Sequence, residues 1–519
     1  MGEAPPKLVL CVIDAMAPEM MERTIEAGRA PVLARLVADG MYVPECVAAF
    51  PSVTPVCAAS IVTGVGQDRH GIPAMNWYHR EEARYVEYGS SFRAAQRFGI
   101  ARQLTDTVYN MNRAHLSSET LTVFERLDDA AVRTAGTTYL MYRGRHRHEP
   151  QRDTALTRVA TALMRYPVMG PRELFYADIF ASRRTGCRSA LGMPGVRDRH
   201  SGCVSAYLVE HDLFDFLLLS LPDNDWHSHK KGPEAQVDSI ALADQQLARV
   251  AEAAGGIDAF LAEHAVVVMA DHSQAPVTAA ISLQDELGEL GVLAPPRAAA
   301  GRAQRQPRNP LAAARSEDVE ARIAVCPSQR AAMVYALHEA ERDAMRASVA
   351  TMSLALEGVD LVMWLERDAH EVPREAVIAG TPGELRFAPG GPLRDARGIS
   401  WSVEGELDVL GASVSAGQLE SPAYPDALAR VWAALLCANS GEVLLSATPG
   451  YEFVDWGRQA HVGGGSHGSL HRSDSLGALV LSGLELPAEA PAQWAIRDVA
   501  SLILAHFGVA VEQQVTYSR

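Results

Sequence analysis

The sequence predicts an α/β protein with a mostly parallel central sheet sandwiched by helices and interrupted by inserted cap regions. Three short apolar runs carry this reading: LVLCVID closes on Asp14, FDFLLLSLPDND on Asp225, and AVVVMADH on Asp271 with His272 behind it. Runs that are apolar throughout and rich in β-branched residues fit strands buried on both faces. Open α/β sheets bind their ligands at the carboxyl ends of such strands, so three carboxylates are expected at one sheet edge. Like charges gathered in a cleft repel unless a cation lies between them, and the arrangement predicts metal before it predicts a reaction.

A chain of 519 residues is too long for one compact core. Residues 1–80, 200–280 and 430–519 read as an α/β core, 81–199 as a mainly helical insertion, and 281–429 as an α/β cap insertion with a flexible basic loop at 295–316. The first core piece alternates strand, helix at 19–39, strand, the FPSVTP turn and a second helix. LTDTVYNMNRAHL and ALTRVATALMRY are the clearest helical segments of the first insertion. In the cap, MVYALHEAERDAMRASVATMSLALEGVDLVMWLER gives strand, helix and strand. The core pattern resumes with a helix at 425–438, the run EVLLSA, a Gly-rich loop at 462–468 and the strand GALVLSG.

The formal net charge of -16 and a pI near 5.5 argue against a nucleic-acid polymer or an anionic membrane as the main partner. A small anionic substrate stays open, because bound cations reverse the local field. The seven cysteines show no CxxC pair, and Cys11 and Cys57 fall in apolar stretches, so reduced buried thiols are expected. No run approaches the roughly 20 apolar residues that cross a bilayer. The N-terminus shows no signal-peptide pattern, and a cytoplasmic location is the expectation. The oligomeric state is not legible.

Thr54 precedes Pro55 in FPSVTPVCAASIVTGVG, where Thr suits an N-cap, Pro the first helical position and Gly64 a terminator. Its hydroxyl is thus expected at the mouth of a short helix spanning about 55–63. The helix dipole there is worth only about 0.3–1 kcal/mol, so metal must do most of any activation. A plain helix cap is the bland alternative. What changes the odds is company. PDNDWHSHKKGP holds Asp225 and His229 four residues apart, which one helical turn brings to a single cation, and Asp223 fits that spacing less well. In HVGGGSHGSLH the glycines let the backbone approach closely and carry His467 inward. Three carboxylates and three imidazoles suit zinc first, then manganese or iron, and calcium least. His227 reads as solvent-facing, Lys230 and Lys231 as a solvated turn, His70 as structural, and His461 and His471 as exposed loop residues.

In this order, Asp14, FPSVT ending at Thr54, HGIPAMN ending at Asn76, Asp225 with His229, Asp271 with His272, and GGSHG around His467 resemble the alkaline phosphatase superfamily, in its nucleotide pyrophosphatase/phosphodiesterase branch. The resemblance covers about residues 5–80, 210–275 and 440–485. It implies an alkaline phosphatase-like fold and two divalent metal ions, usually zinc. Asp225, His229 and His467 would hold one, and Asp14, Asp271, His272 and the Thr54 oxygen the other. It further implies a Thr54 nucleophile forming a phospho-threonine that a metal-activated water hydrolyses, with Asn76 donating to a non-bridging phosphate oxygen. The chain departs from the branch after Thr54, where PVCAAS replaces an aromatic followed by Pro-Asn-His, and in an aspartate loop longer than PDSSGH. No sulfatase-type C-x-P-x-R or S-x-P-x-R lies at residue 54. The expected activity is metal-dependent hydrolysis of phosphoric esters, diesters first. The alternatives are phosphonate or monoester hydrolysis on the same core, or a non-catalytic metal-binding protein.

Overall fold

The computed structural model describes residues 5–151, 164–295, 321–368, 370–486 and 490–511. In chain order, β1 (Lys7–Ile13) and β2 (Met41–Val47) lead to helix α1 (Thr54–Thr63), the hairpin β3 (Asn76–His79) and β4 (Arg84–Glu87), then β5 (Thr134–Thr137), β6 (Glu173–Tyr176) and β7 (Phe180–Ala181). Helix α2 (Arg197–Glu210), β8 (Phe216–Leu221), helix α3 (Asp223–Lys231), β9 (His264–Met269), β10 (Ala275–Ile281) and β11 (Leu476–Ser482) follow. The main sheet has eight strands in the order β2-β11-β9-β1-β8-β5-β6-β7.

The Asp-ended runs form its centre. β1 lies parallel between β8 and β9, with Ile13 opposite Leu221 and Val12 opposite Met269, so the three chains leave the sheet side by side. Alternation along β1 feeds two cores: Leu8, Leu10 and Val12 pack with Val56 and Cys57 of α1, while Val9, Cys11 and Ile13 pack with Leu208 of α2 and Ile240. Each such buried aliphatic contributes about 1.5–3 kcal/mol, which explains why the runs are apolar on both faces. Antiparallel strands occur toward the edges, where β11 joins β9 to β2 and β7 pairs with β6.

Several expectations are corrected. The helix foreseen at 19–39 is two helices, Pro18–Glu26 and Pro31–Asp39, because Gly28 with a left-handed φ of 70° closes the first and Pro31 opens the second. The stretch 81–199 is not simply helical. Its described part includes the helices Phe92–Phe98, Ile100–Thr105, the π-helical Asp106–His115 and Val123–Asp129, but it also supplies β5, β6 and β7 to the main sheet. These strands are only two to four residues long, too short to register as periodic patterns. ALTRVATALMRY lies mostly, and the basic loop at 295–316 almost wholly, outside the described residues.

The cap expectation meets a second sheet of nine strands, in which Ile323–Ser328, Ala331–Ala336, Val443–Ala447, Val359–Arg367, Pro373–Gly380 and Gly383–Arg394 lie in that order. The run EVLLSA was assigned to the main core. It sits instead inside this second sheet, between Ala331–Ala336 and Val359–Arg367. A five-residue apolar strand suits either interior, and its composition does not say which.

His70 is structural as expected: it is fully buried, its Nδ1 accepts from the Ile72 N–H (3.1 Å), and its Nε2 meets Ser60 Oγ of α1 (3.2 Å). Among the cysteines, Cys11, Cys46, Cys57, Cys326 and Cys437 are free and buried, whereas Cys187 and Cys203 form a disulfide. Sequence spacing does not reveal a pair brought together by the packing of α2 against the preceding loop.

Burial pushes the His70 imidazole down to about 3, so the folded chain keeps it neutral while the unfolded chain protonates it below about 6.5. Its contribution to stability is therefore complete above pH 6.5 and lost as pH falls toward 3. Urea unfolding at pH 7 and pH 5 should show His70→Gln losing about 2 kcal/mol less over that interval than the parent. Thiol titration of the denatured, unreduced protein should count five thiols rather than the seven that a fully reduced chain would give.

Candidate active site

At the carboxyl edge of the main sheet each central strand delivers its acid. Asp14 follows β1, Asp271 follows β9 by two residues, and Asp225 sits in the first turn of α3, which begins two residues after β8. Ala15 adopts a left-handed φ of 58°, which turns its N–H onto Asp271 Oδ1 at 3.1 Å. Asn224 fixes the neighbouring turn by donating its amide to the Asp14 carbonyl at 2.8 Å and accepting from Ser239 Oγ at 2.7 Å.

Two groups of possible ligands result. Atoms of Asp225, His229 and His467 lie within 4.8 Å of one another, and so do atoms of Asp14, Asp271 and His272. His229 Nε2 is 3.3 Å, and His467 Nε2 3.5 Å, from Asp225 Oδ1. His272 Nε2 lies 3.5 Å from Asp271 and 3.7 Å from Asp14. The His272 and His467 rings stack with centroids 3.8 Å apart, so the two groups adjoin. The six residues expected as ligands thus make up these two groups.

The imidazoles share one device. The Nδ1–H of His229 donates to the Gly465 carbonyl (2.7 Å), that of His467 to Ser52 (2.7 Å), and that of His272 to Ser273 (3.2 Å). A ring whose Nδ1 carries the proton turns an Nε2 lone pair to the site, which is the tautomer a cation needs. The electrostatics follow from burial. Asp14 is held well above the usual carboxylate range by burial first and then by Asp271 and Asp225. For Asp225 burial acts in the same direction, but His229, His467 and His272 outweigh it and hold the carboxyl low. His467 is pushed well down by burial and by its neighbour His272.

Thr54 stands beside the second group. It was expected as the N-cap of α1; Val53 takes that place, and Thr54 is the first helical residue, before Pro55. The correction frees its side chain, since Oγ1 caps nothing and lies 3.3 Å from His272 Nε2. The turn that carries Thr54 is stitched to the loop that carries His467: Ser52 N donates to the Gly468 carbonyl, and Gly468 N to Ser52 Oγ. The glycines do what the sequence suggested. A Cβ on Gly464 would sit 2.0 Å from the His229 carbonyl oxygen, and Gly465 with Ser466 pairs antiparallel with the start of β10.

Asn76 departs from expectation. Its amide nitrogen donates to the Val86 carbonyl across the β3–β4 hairpin (2.9 Å), its Oδ1 is buried without a partner, and it does not line the cavity beside Thr54, although Met75 does. His461 is not a bystander, because it stacks on His229 at 4.1 Å and its Nδ1 lies 2.8 Å from Glu452. His471 caps the short helix Arg472–Ser475, accepting from Ser473 N. His227 is half-buried and outside both groups, and Lys230 lies over the Trp226 ring at 4.0 Å. Asp223, the competitor of Asp225, accepts from Arg197, Gly195 and Asp198 instead.

Residues unforeseen from the sequence support the ligands. Gln274 donates to both the carboxylate and the carbonyl of Asp225. Arg330 donates its backbone N–H to the His467 carbonyl (2.9 Å) and pairs with Asp474 at 2.7 Å, both side chains fully buried. A lone Gln or Arg in an apolar stretch carries no spacing signal. A cavity of 510 Å³ opens beside Thr54, Asp14, Asp225 and Asp271. Two adjoining candidate triads with a hydroxyl beside one of them offer the groups that in-line displacement at phosphorus uses.

Comparisons with known proteins bear on the fold and the family. The fold resembles murine ectonucleotide pyrophosphatase / phosphodiesterase 5, an inactive variant in complex with AMP, at a TM-score of 0.56 and 10% identity over 98% of this chain and 97% of that one. It also resembles phosphonoacetate hydrolase from Sinorhizobium meliloti 1021 in complex with phosphonoformate, at 0.52 and 16% identity over 98% and 96%. No curated protein sequence matches the chain. Residues 8–377 match the family described as type I phosphodiesterase / nucleotide pyrophosphatase, and the chain belongs to that family.

Proposed function

We propose that this chain hydrolyses phosphoric esters, diesters first, with Thr54 as nucleophile at a centre for two divalent cations. The observation that carries the reading is the pair of adjoining three-residue groups, with the Thr54 hydroxyl 3.3 Å from His272 Nε2 of one of them. The donors fit metal: Asp14 Oδ1 is buried with no hydrogen-bond partner, and all three imidazoles are locked with Nε2 inward. Asp225, His229 and His467 would hold one ion, and Asp14, Asp271, His272 and Thr54 the other. The mixed oxygen and nitrogen donors favour zinc. When bound, the cations would supply Lewis-acid stabilisation of charge developing on the oxygens around phosphorus.

The residues themselves do the rest. Thr54 Oγ1 attacks phosphorus in line, forming the Oγ1–P bond as the bond to the leaving oxygen breaks. Water then attacks the phospho-threonine from the vacated side, the Oγ1–P bond breaks, and the hydroxyl is restored. Position at the start of α1 adds about 0.3–1 kcal/mol in favour of an oxyanion at Thr54. Gln274 holds the Asp225 carboxylate and the backbone carbonyls hold the imidazoles, so none of them reorients between steps. Cleavage of a phosphonate is the second reading. It is favoured by Pro55, Val56 and Cys57 after Thr54, where the branch has an aromatic wall for a nucleoside.

The small anionic substrate stands as a proposal. No helix among the described residues is long and apolar enough to cross a membrane. The Cys187–Cys203 disulfide is of a kind that persists in oxidising compartments and weighs against the cytoplasmic expectation.

Dialysis against a strong chelator should release about two equivalents of metal per chain and lower the melting temperature, as the buried acids lose their counter-charges. Elemental analysis and calorimetry on the same samples check both, and an unaltered melting temperature would count against the centre. On bis-p-nitrophenyl phosphate, Thr54→Ala should lose about 10³-fold or more in kcat with its metal content retained. Unchanged turnover in that variant would remove Thr54 from the chemistry.

A further inference from the structure

We propose that Arg197 reads a second negative charge on the substrate, so that the preferred ester or phosphonate carries a carboxylate or another phosphoryl group a short distance from the phosphorus attacked by Thr54. The inference rests on the proposed function for the position of that phosphorus. It begins from the cavity beside Thr54, whose acidic end is formed by Asp14, Asp225 and Asp271. Apolar and aromatic side chains, among them Met75, Tyr88, Tyr139 and Ile179, line much of the remainder. Among the described lining residues Arg197 is the only lysine or arginine.

Arg197 is also built in rather than draped over the surface. It opens α2, and its side chain is 22% exposed. Its Nε donates to Asp223 Oδ1 at 2.9 Å and its Nη2 to the Pro222 carbonyl at 3.1 Å. Asp223 is fixed in turn, accepting from the Gly195 N–H at 2.8 Å and the Asp198 N–H at 3.2 Å. Two edges of the guanidinium are therefore committed, and among the described residues Nη1 has no hydrogen-bond partner. Asp223 does not line the cavity, so the pair presents its cationic member there.

A planar guanidinium held on two sides is preorganised, and less side-chain entropy is lost when it binds an anion. Apolar walls lower the local dielectric and strengthen that contact. They also fit the carbon skeleton that would separate the two anionic groups. Cations held by Asp14, Asp225 and Asp271 would take the scissile phosphoryl group, with Arg197 beside them on the same cavity wall. A substrate with one charge satisfies the cations only, whereas a substrate with two also satisfies the guanidinium.

The test compares two esters with one shared leaving group, phenyl p-nitrophenyl phosphate and p-carboxyphenyl p-nitrophenyl phosphate. The metal-loaded protein should prefer the carboxylated ester by about tenfold or more in kcat/KM, the size of one charge-assisted hydrogen bond. In Arg197→Met that preference should vanish, mainly through KM, and Arg197→Lys should restore part of it. A parent enzyme with no preference, or an Arg197→Met that slows both esters by the same factor, overturns the assignment and leaves Arg197 a clamp for the turn before α3.

Calorimetric binding of phenylphosphonate and p-carboxyphenylphosphonate gives a readout that needs no turnover. Tighter binding of the carboxylated compound, lost in Arg197→Met, supports the assignment even if neither ester is cleaved, an outcome that would sink the phosphodiesterase reading alone. Equal affinity for the two phosphonates overturns the assignment.

Discussion

The mutual repulsion of Asp14, Asp225 and Asp271 is the constraint around which this protein is arranged. Parallel register across β8, β1 and β9 forces the three chains to leave the sheet as neighbours, so their acids share one small pocket. Burial makes the repulsion worse, as the raised Asp14 carboxyl shows. The chain answers with three imidazoles from outside those strands, each locked by a backbone carbonyl. Cations would complete the compensation, and the hydroxyl beside His272 would turn an electrostatic necessity into a reactive centre.

The ligand set was legible because its members sit where strand ends and spacing put them. Asp225 and His229 share a helical turn of α3, and Asp271 and His272 close an apolar run whose burial pattern admits few alternatives. His467 was readable from the glycines before it. Thr54 was placed within one residue, its cap role passing to Val53. Asn76 was not legible: HGIPAMN identifies the turn after α1, but whether its amide faces phosphate or the partner strand of a hairpin depends on the β3–β4 register.

What escaped prediction depends on distant segments meeting. Val443–Ala447 is as apolar as β8, and only its pairing partners put it in the second sheet. Cys187 and Cys203 are 16 residues apart without a motif, and the packing of α2 makes them a pair. His461 looked exposed because it lies in a polar loop, yet the loop folds it flat against His229. Arg197 carries no spacing signal, and Asp223, the competitor of Asp225 by sequence, meets it only once the turn before α3 is formed.

Gly464 shows how the pocket depends on a residue that brings no donor of its own. Its missing side chain leaves the gap through which the backbone of one loop passes the carbonyl of His229. A single extra methyl group there would wedge two ligand-bearing segments apart while every acid, imidazole and hydroxyl remained in the chain. A related sequence could thus preserve the full set of reactive residues and still lack a working centre, so an inventory of side chains is a weaker guide to competence than the space between backbones.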